Sequence, residues 1–278
     1  MFGRKLIIRS YIPIFEGAGF TQRLFLFLPA VRYIRVTYRF FFFALYTTRI
    51  VAEVYCRRVL LRQPMPAVMV TRRRWARRVL HGVGVRVTSS GTPPDFPCLI
   101  LANHRSYLDP ILLLREVFAY PVAKAELADW PVIGKGARWA GILYVQRERS
   151  GSRVSALRAI ADVILQRGFP VLLFPEGTTS DLPGMLPFKK GAFRTAAKWG
   201  LPVVPVAILF DDPKDYWVGS ISFLHHAWKR FQEPLTTVHL VYGPVFHPLE
   251  TEDLEANVRT WIETQLLTGR QPEHIANH

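Results

Sequence analysis

PCLILANHRSYLDP, residues 97–110, is the stretch whose reading decides the fold. Its apolar run is too short for a helix and is bounded by proline, so it reads as a buried strand. Asp109-Pro110 then reads as a helix start, with the carboxylate as cap and proline in the first turn. A strand, a tight turn and a helix start in that order are the building unit of an α/β sheet. The same alternation recurs outward in both directions. β-type runs occur at VGVRVTS (83–89), PVAKAE (121–126), GILYVQ (141–146), FPVLLFPE (169–176), LPVVPVAIL (201–209) and TTVHLVYG (236–243). Helical patterns lie near 110–119, 152–167, 190–199 and 251–267. The expected fold is α/β, a mostly parallel or mixed sheet flanked by helices. It spans residues 80–278 and closes on a carboxy-terminal helix and the short polar tail GRQPEHIANH. Pro205 is odd inside its run, because proline removes a ladder donor and favours an edge or a strand start.

Residues 1–79 are of another kind. The chain of 278 residues carries a formal charge of +15, and from Arg23 to Arg86 the only acidic residue is Glu53. The arginines there are interleaved with Phe, Tyr, Leu and Val, which suits an anionic membrane surface better than nucleic acid, for which no binding module is recognisable. A spanning helix needs about 20 largely apolar residues, and the charge-free runs LFLFLPAV (24–31) and FFFFALYTT (40–48) are too short. On a helix, Arg32, Arg35, Arg39, Arg49, Glu53 and Arg57 form one stripe. The expectation is a membrane-associating helical region that lies in the interface, its arginines directed at lipid phosphates. A soluble amphipathic helix packed on the domain, and a tilted insertion, are the alternatives. Two cysteines, Cys56 and Cys98, make no disulfide framework or zinc motif. A reducing, cytosol-facing setting follows.

Within NHRSYLDP, His104 and Asp109 are five residues apart, which on one continuous helix would place them about 140° apart. They meet only if the turn folds His104 back over the helix start. In that case the carboxylate accepts from one ring nitrogen and leaves the other as acceptor for a substrate hydroxyl. The spacing alone is weak, since His247 and Glu252 share it. FPEGTTS (174–180) puts Glu176, Gly177 and Thr178 at the carboxyl end of a strand, where α/β proteins bind ligands. GILYVQR ends in Arg147, a planar fork suited to phosphate, and PFKKGAF (187–193) offers Lys189 beside a glycine. Each of these, taken alone, also has a bland reading as a strand-end or surface residue.

Together, NHRSYLD, GILYVQR, FPEGT and VVPV resemble, in order and spacing, the four blocks of the glycerolipid acyltransferase family, most of all bacterial 1-acylglycerol-3-phosphate acyltransferases. The likeness covers roughly residues 80–245. It implies transfer of an acyl chain from acyl-CoA or acyl carrier protein to the hydroxyl of a lysophospholipid, giving phosphatidic acid from lysophosphatidic acid, at the cytoplasmic face of the bacterial inner membrane. Lyso-ornithine lipid or another lysophospholipid is the alternative acceptor. A non-catalytic basic membrane-binding protein is the rival from another class. By the family pattern His104 is the general base and Asp109 its orienter. Arg147, Glu176, Gly177, Thr178 and Lys189, with Asn103 and Ser106 from the first block, form the expected substrate-binding set, and the block around Val204 and Val206 belongs to a pocket. Ser106 is also a conceivable acyl-accepting nucleophile, ranked below direct transfer. No metal and no permanently bound cofactor is expected; the thioester is a co-substrate. Tyr144 stands where the family commonly has phenylalanine.

Overall fold

The computed structural model describes residues 18–129, 133–145, 150–182, 184–219, 221–249 and 252–269. Every β-type run of the sequence is a strand: β1 (Val85–Ser90), β2 (Leu99–Ala102), β3 (Tyr120–Lys124), β4 (Leu143–Val145), β5 (Val171–Leu173), β6 (Val203–Phe210) and β7 (Thr236–Tyr242). They form one sheet in the order β1-β7-β6-β2-β5-β3-β4. From β6 to β4 all neighbours are parallel, whereas β7 runs antiparallel to β6 and carries β1 parallel to itself. The sheet is therefore mixed, with a parallel body and a reversed edge.

Both faces of the body are covered, which is why its strands read as continuous apolar runs. In β2, Ile100 and Ala102 face one helical layer, and Leu99 and Leu101 face the other. The first layer includes α3 (Asp109–Leu114) and α7 (Phe223–Gln232) through Leu112, Leu113, Ala227 and Phe231. The second layer is built by α5 (Ser150–Leu165), α6 (Gly191–Trp199) and α8 (Leu254–Thr268), through Ile160, Phe193 and Ile262 among others. Short α4 (Ile133–Trp139) precedes β4. Its sequence, IGKGARW, reads poorly as a helix. The glycines serve close approach: a methyl group on Gly136 would come within 2.7 Å of the Val51 side chain.

Pro205 lies inside β6, a central strand buried along its whole length, and so departs from the expected edge or strand start. Gly243 N donates to Pro205 O at 2.9 Å, so this residue's hydrogen-bonding side faces the β7 flank where β7 has just ended. The missing donor thus falls outside the regular ladder. Gly243 leaves room for the ring, since a methyl group there would sit 2.7 Å from Pro205 Cγ.

The amino-terminal helices α1 (Ala18–Tyr55) and α2 (Met65–Gly82) pack on the sheet domain, burying Val36 and Leu80 in the first-layer core. No helix among the described residues is long and apolar enough to cross a membrane. The orientation of α1 corrects the expected one. Arg39 is buried and donates to the carbonyls of Phe231, Glu233 and Pro234 at 3.1, 2.5 and 2.8 Å, and Arg35 donates to Gln232 O at 2.6 Å. Glu53 receives Arg57, Arg74 and Thr71. Much of the charged stripe faces protein, and the outward face carries Ile34, Tyr38, Phe41 and Leu45. The physical reason is that the carbonyls at the end of α7 and just past it need donors, and an arginine fork supplies several at once.

Candidate active site

The site begins where β2 ends. Asn103 continues the strand with its side chain: Nδ2 donates to Ile208 O at 2.9 Å and Oδ1 accepts from Ile208 N at 2.7 Å. The next residue turns out of the sheet. His104 Nδ1 lies 2.7 Å from Asp109 Oδ2, with Asp109 fully buried and 21% of the His104 side chain accessible. The imidazole stacks on Phe174, just past β5, with ring centroids 4.2 Å apart. Proximity across the turn has a local cause. Asp109 Oδ2 also accepts from Arg105 N at 2.6 Å and Ser106 N at 2.8 Å. The carboxylate therefore points back into the preceding turn, correcting its reading as an ordinary cap of the following helix. Pro110 does occupy the first turn of α3.

In a neutral ring, the carboxylate as acceptor places the proton on Nδ1 and leaves Nε2 as an acceptor. That is the protonation pattern of a general base held by an orienting acid.

Glu176 is buried to 3% exposure behind this turn. Its Oε1 accepts from His104 N and its Oε2 from Leu186 N, both at 2.8 Å. Burial raises its pKa, while the two backbone donors and the Arg105 charge pull it down. Gly177 follows with φ +77°, and a methyl group there would meet Lys189 Cε at 2.7 Å. Lys189 thus lies across the turn, its own N–H donating to Pro175 O at 2.9 Å. Thr178 is exposed beside it.

Of the expected substrate-binding residues, the structure gathers Glu176, Gly177, Thr178 and Lys189 around the His104 turn. Arg147 lies outside the described residues. Asn103 and Ser106 are corrected: both are fully buried, with the Asn103 amide engaged by β6 and the Ser106 hydroxyl turned to Leu108 N at 3.4 Å. Neither is open to a substrate, and Ser106 is no nucleophile in this geometry. Val204 and Val206 are buried in the first-layer core. Tyr144 uses its hydroxyl, donating to Gly134 O at 3.0 Å.

Two residues went unremarked in the sequence. Phe174 gives the imidazole its wall. Arg105, fully buried, donates to Ser180 O at 2.8 Å and Gly184 O at 2.7 Å. An arginine next to the base, inside an otherwise apolar strand-turn unit, was the available signal. Among the described residues no cluster of histidine, cysteine and carboxylate side chains has the makings of a metal site.

The acyltransferase family model matches residues 84–209, which include β2, the His104 turn and the Glu176 turn. 1-acyl-sn-glycerol-3-phosphate acyltransferase alpha from Homo sapiens is 36% identical over 135 residues, 47% of each chain. The chain thus spans about half the length of such curated relatives. Lyso-ornithine lipid O-acyltransferase from Brucella abortus is 31% identical over 202 residues, covering 64% of this chain and 75% of the relative. In fold, the crystal structure of a 1-acyl-sn-glycerophosphate acyltransferase from Thermotoga maritima superposes with a TM-score of 0.67 at 22% identity, over 90% of this chain and 99% of that one.

Proposed function

The chain belongs to the acyltransferase family, and from that premise we propose that it acylates the free hydroxyl of a lysophosphatidic-acid-type acceptor, with acyl-CoA or acyl carrier protein as thioester donor. The carrying observation is the 2.7 Å contact between His104 Nδ1 and Asp109 Oδ2, on a turn at the carboxyl end of the parallel strands. His104 Nε2 takes the acceptor's hydroxyl proton as that oxygen attacks the thioester carbonyl. The new C–O bond forms, the C–S bond breaks, and the imidazolium returns its proton to the departing thiolate. Asp109 keeps the ring in the required tautomer and stabilises the imidazolium. Lys189 and the exposed Thr178 are the described groups suited to the acceptor's phosphate.

The second reading keeps the chemistry and changes the acceptor to a lyso-ornithine lipid. What favours it is the reach of that likeness: a second such relative, from Pseudomonas aeruginosa, aligns with 71% of this chain and 79% of its own length.

The acceptor is a membrane lipid, and the outward row Ile34, Tyr38, Phe41 and Leu45 supports attachment to a lipid surface through α1. With two free cysteines, the cytoplasmic face of a bacterial inner membrane suits the chain.

The test is thioester consumption by purified protein in detergent, with lysophosphatidic acid, lyso-ornithine lipid and a neutral lysolipid as competing acceptors. Turnover should favour lysophosphatidic acid and fall by roughly 10²–10⁴ in His104→Ala. Asp109→Asn should fall comparably, because an amide cannot hold the same tautomer. Wild-type turnover in both variants would overturn the assignment.

A further inference from the structure

We infer that Glu176 is a positioning residue which holds the backbone of the base, rather than a group that touches the acceptor. This inference rests on the acyl-transfer reading and assigns a part within it. Both carboxylate oxygens are engaged by backbone donors ten residues apart on one side and seventy-two apart on the other: Leu186 N on Oε2 and His104 N on Oε1, each at 2.8 Å. The residue is 3% exposed. A buried carboxylate needs strong donors to remain ionised, and an amide N–H to a charged acceptor is among the stronger protein hydrogen bonds. The direction those donors impose is fixed by the fold, so a lipid phosphate has no approach to this group.

Neighbouring contacts make the brace more than a single pair. Ser180 N donates to His104 O at 3.2 Å, and Arg105 clamps the carbonyls of Ser180 and Gly184. Residues 104 and 105 are therefore tied to the segment after β5 at Glu176, Ser180 and Gly184, while Leu186 closes that segment onto Glu176. The base on one strand end and the acceptor-facing turn on the next, with Thr178 and Lys189, form one rigid platform. Asp109 sets the imidazole's tautomer; Glu176 sets where the imidazole stands relative to the turn that receives the acceptor. Displacement by a fraction of an ångström lowers the rate of an oriented transfer without weakening binding in proportion.

The experiment has two arms, using the full chain with Glu176→Gln and Glu176→Ala. Glutamine keeps the shape and can accept only one of the two N–H groups, so a folded variant is available if alanine unfolds. In the free protein, amide hydrogen exchange is followed by mass spectrometry across residues 103–108 and 184–190. The brace requires at least tenfold faster exchange in both segments, with no substrate present. That arm stands even if the acceptor assignment fails. In the kinetic arm, kcat should fall roughly 10–100-fold while the KM for the acceptor stays within twofold of wild type. Unchanged exchange in either segment, or a KM raised tenfold with kcat preserved, would overturn the inference.

Discussion

Asp109 shows how much one oxygen can decide. Its Oδ2 collects the imidazole and two backbone N–H groups, so the residue shapes the turn and orients the base with the same atom. The sequence displayed the pair but left its geometry open, because helical periodicity would have separated the two side chains. At Gly177 the limit is the backbone itself. With φ at +77°, an alanine there is expected to cost about 1–2 kcal/mol, read by urea unfolding. Shortening Lys189, the side chain a new methyl would meet, should not restore stability, since the strain belongs to the left-handed conformation and the lysine end can move. Recovery of wild-type stability in Gly177→Ala with Lys189→Ala would show that crowding, and not φ, was the cost.

Among elements, the recurrent theme is arginine at helix ends. Arg35 and Arg39 of α1 serve carbonyls in the last turn of α7 and just past it. Arg73 and Arg77 of α2 donate to Glu116 O and Arg115 O just past α3, and Arg72 reaches Ala119 O and Ala140 O. Burial pulls the Arg72 guanidinium down to about 10. Basic residues that suggest a lipid-facing stripe in the sequence thus include several that join helices, cationic groups placed where helix dipoles are negative. Removing Arg39 in Arg39→Met leaves up to three carbonyls short of a donor and should cost about 2–3 kcal/mol by urea unfolding. Arg39→Lys should recover little of it, because one ammonium cannot reproduce the fork.

Helix α7 itself was missed in the sequence. Ser222 caps it through His225 N at 3.3 Å, and Phe223, Ala227 and Phe231 recur every four residues toward the core, yet its two histidines and short length concealed the pattern. His226 on this helix is buried against Tyr107; desolvation lowers its pKa, and this outweighs the hydrogen bonds to the backbone at Lys214 and Tyr216, which raise it, while the Arg230 and Lys229 charges add to the lowering. The folded chain therefore favours the neutral ring, while the unfolded chain takes up a proton as pH falls through about 6.5. Stability from this group is present above that pH and lost below it, until the folded value is reached. Thermal melts from pH 8 to pH 5 should show a smaller acid-side loss in His226→Gln than in wild type.

For the whole molecule, the outward row of α1 and the proposed lipid surface can be tested apart from catalysis. Ile34 and Phe41 are 69% and 64% exposed. Transfer of each side chain from water to an apolar phase is worth about 1.5–3 kcal/mol, so Ile34→Asp with Phe41→Asp should weaken partition onto phosphatidylglycerol-containing vesicles at least tenfold in a flotation assay. Turnover on detergent-dispersed acceptor and the unfolding midpoint should stay as in wild type. Equal partition of the variant would remove α1 from the attachment surface. Half-buried Phe40 stacks on Trp228 at 6.0 Å, linking this region to the outer side of α7, where Leu224 and Trp228 are also exposed.

The sequence by itself determined the strands and the chemical blocks. A strand buried on both faces must be apolar along its length, and a turn after it must be built from residues with their own backbone-bonding groups, so both leave local marks. Strand order, the reversal of β7 against β6, the inward turn of the α1 arginines and the double hold of Glu176 were decided only in three dimensions. The last three satisfy hydrogen-bonding groups distant in the chain: Gly243 for Pro205, Arg39 for the end of α7, and Glu176 for the N–H of His104. A donor's need for an acceptor leaves no local periodicity, and so it becomes visible only when the partners have been brought together.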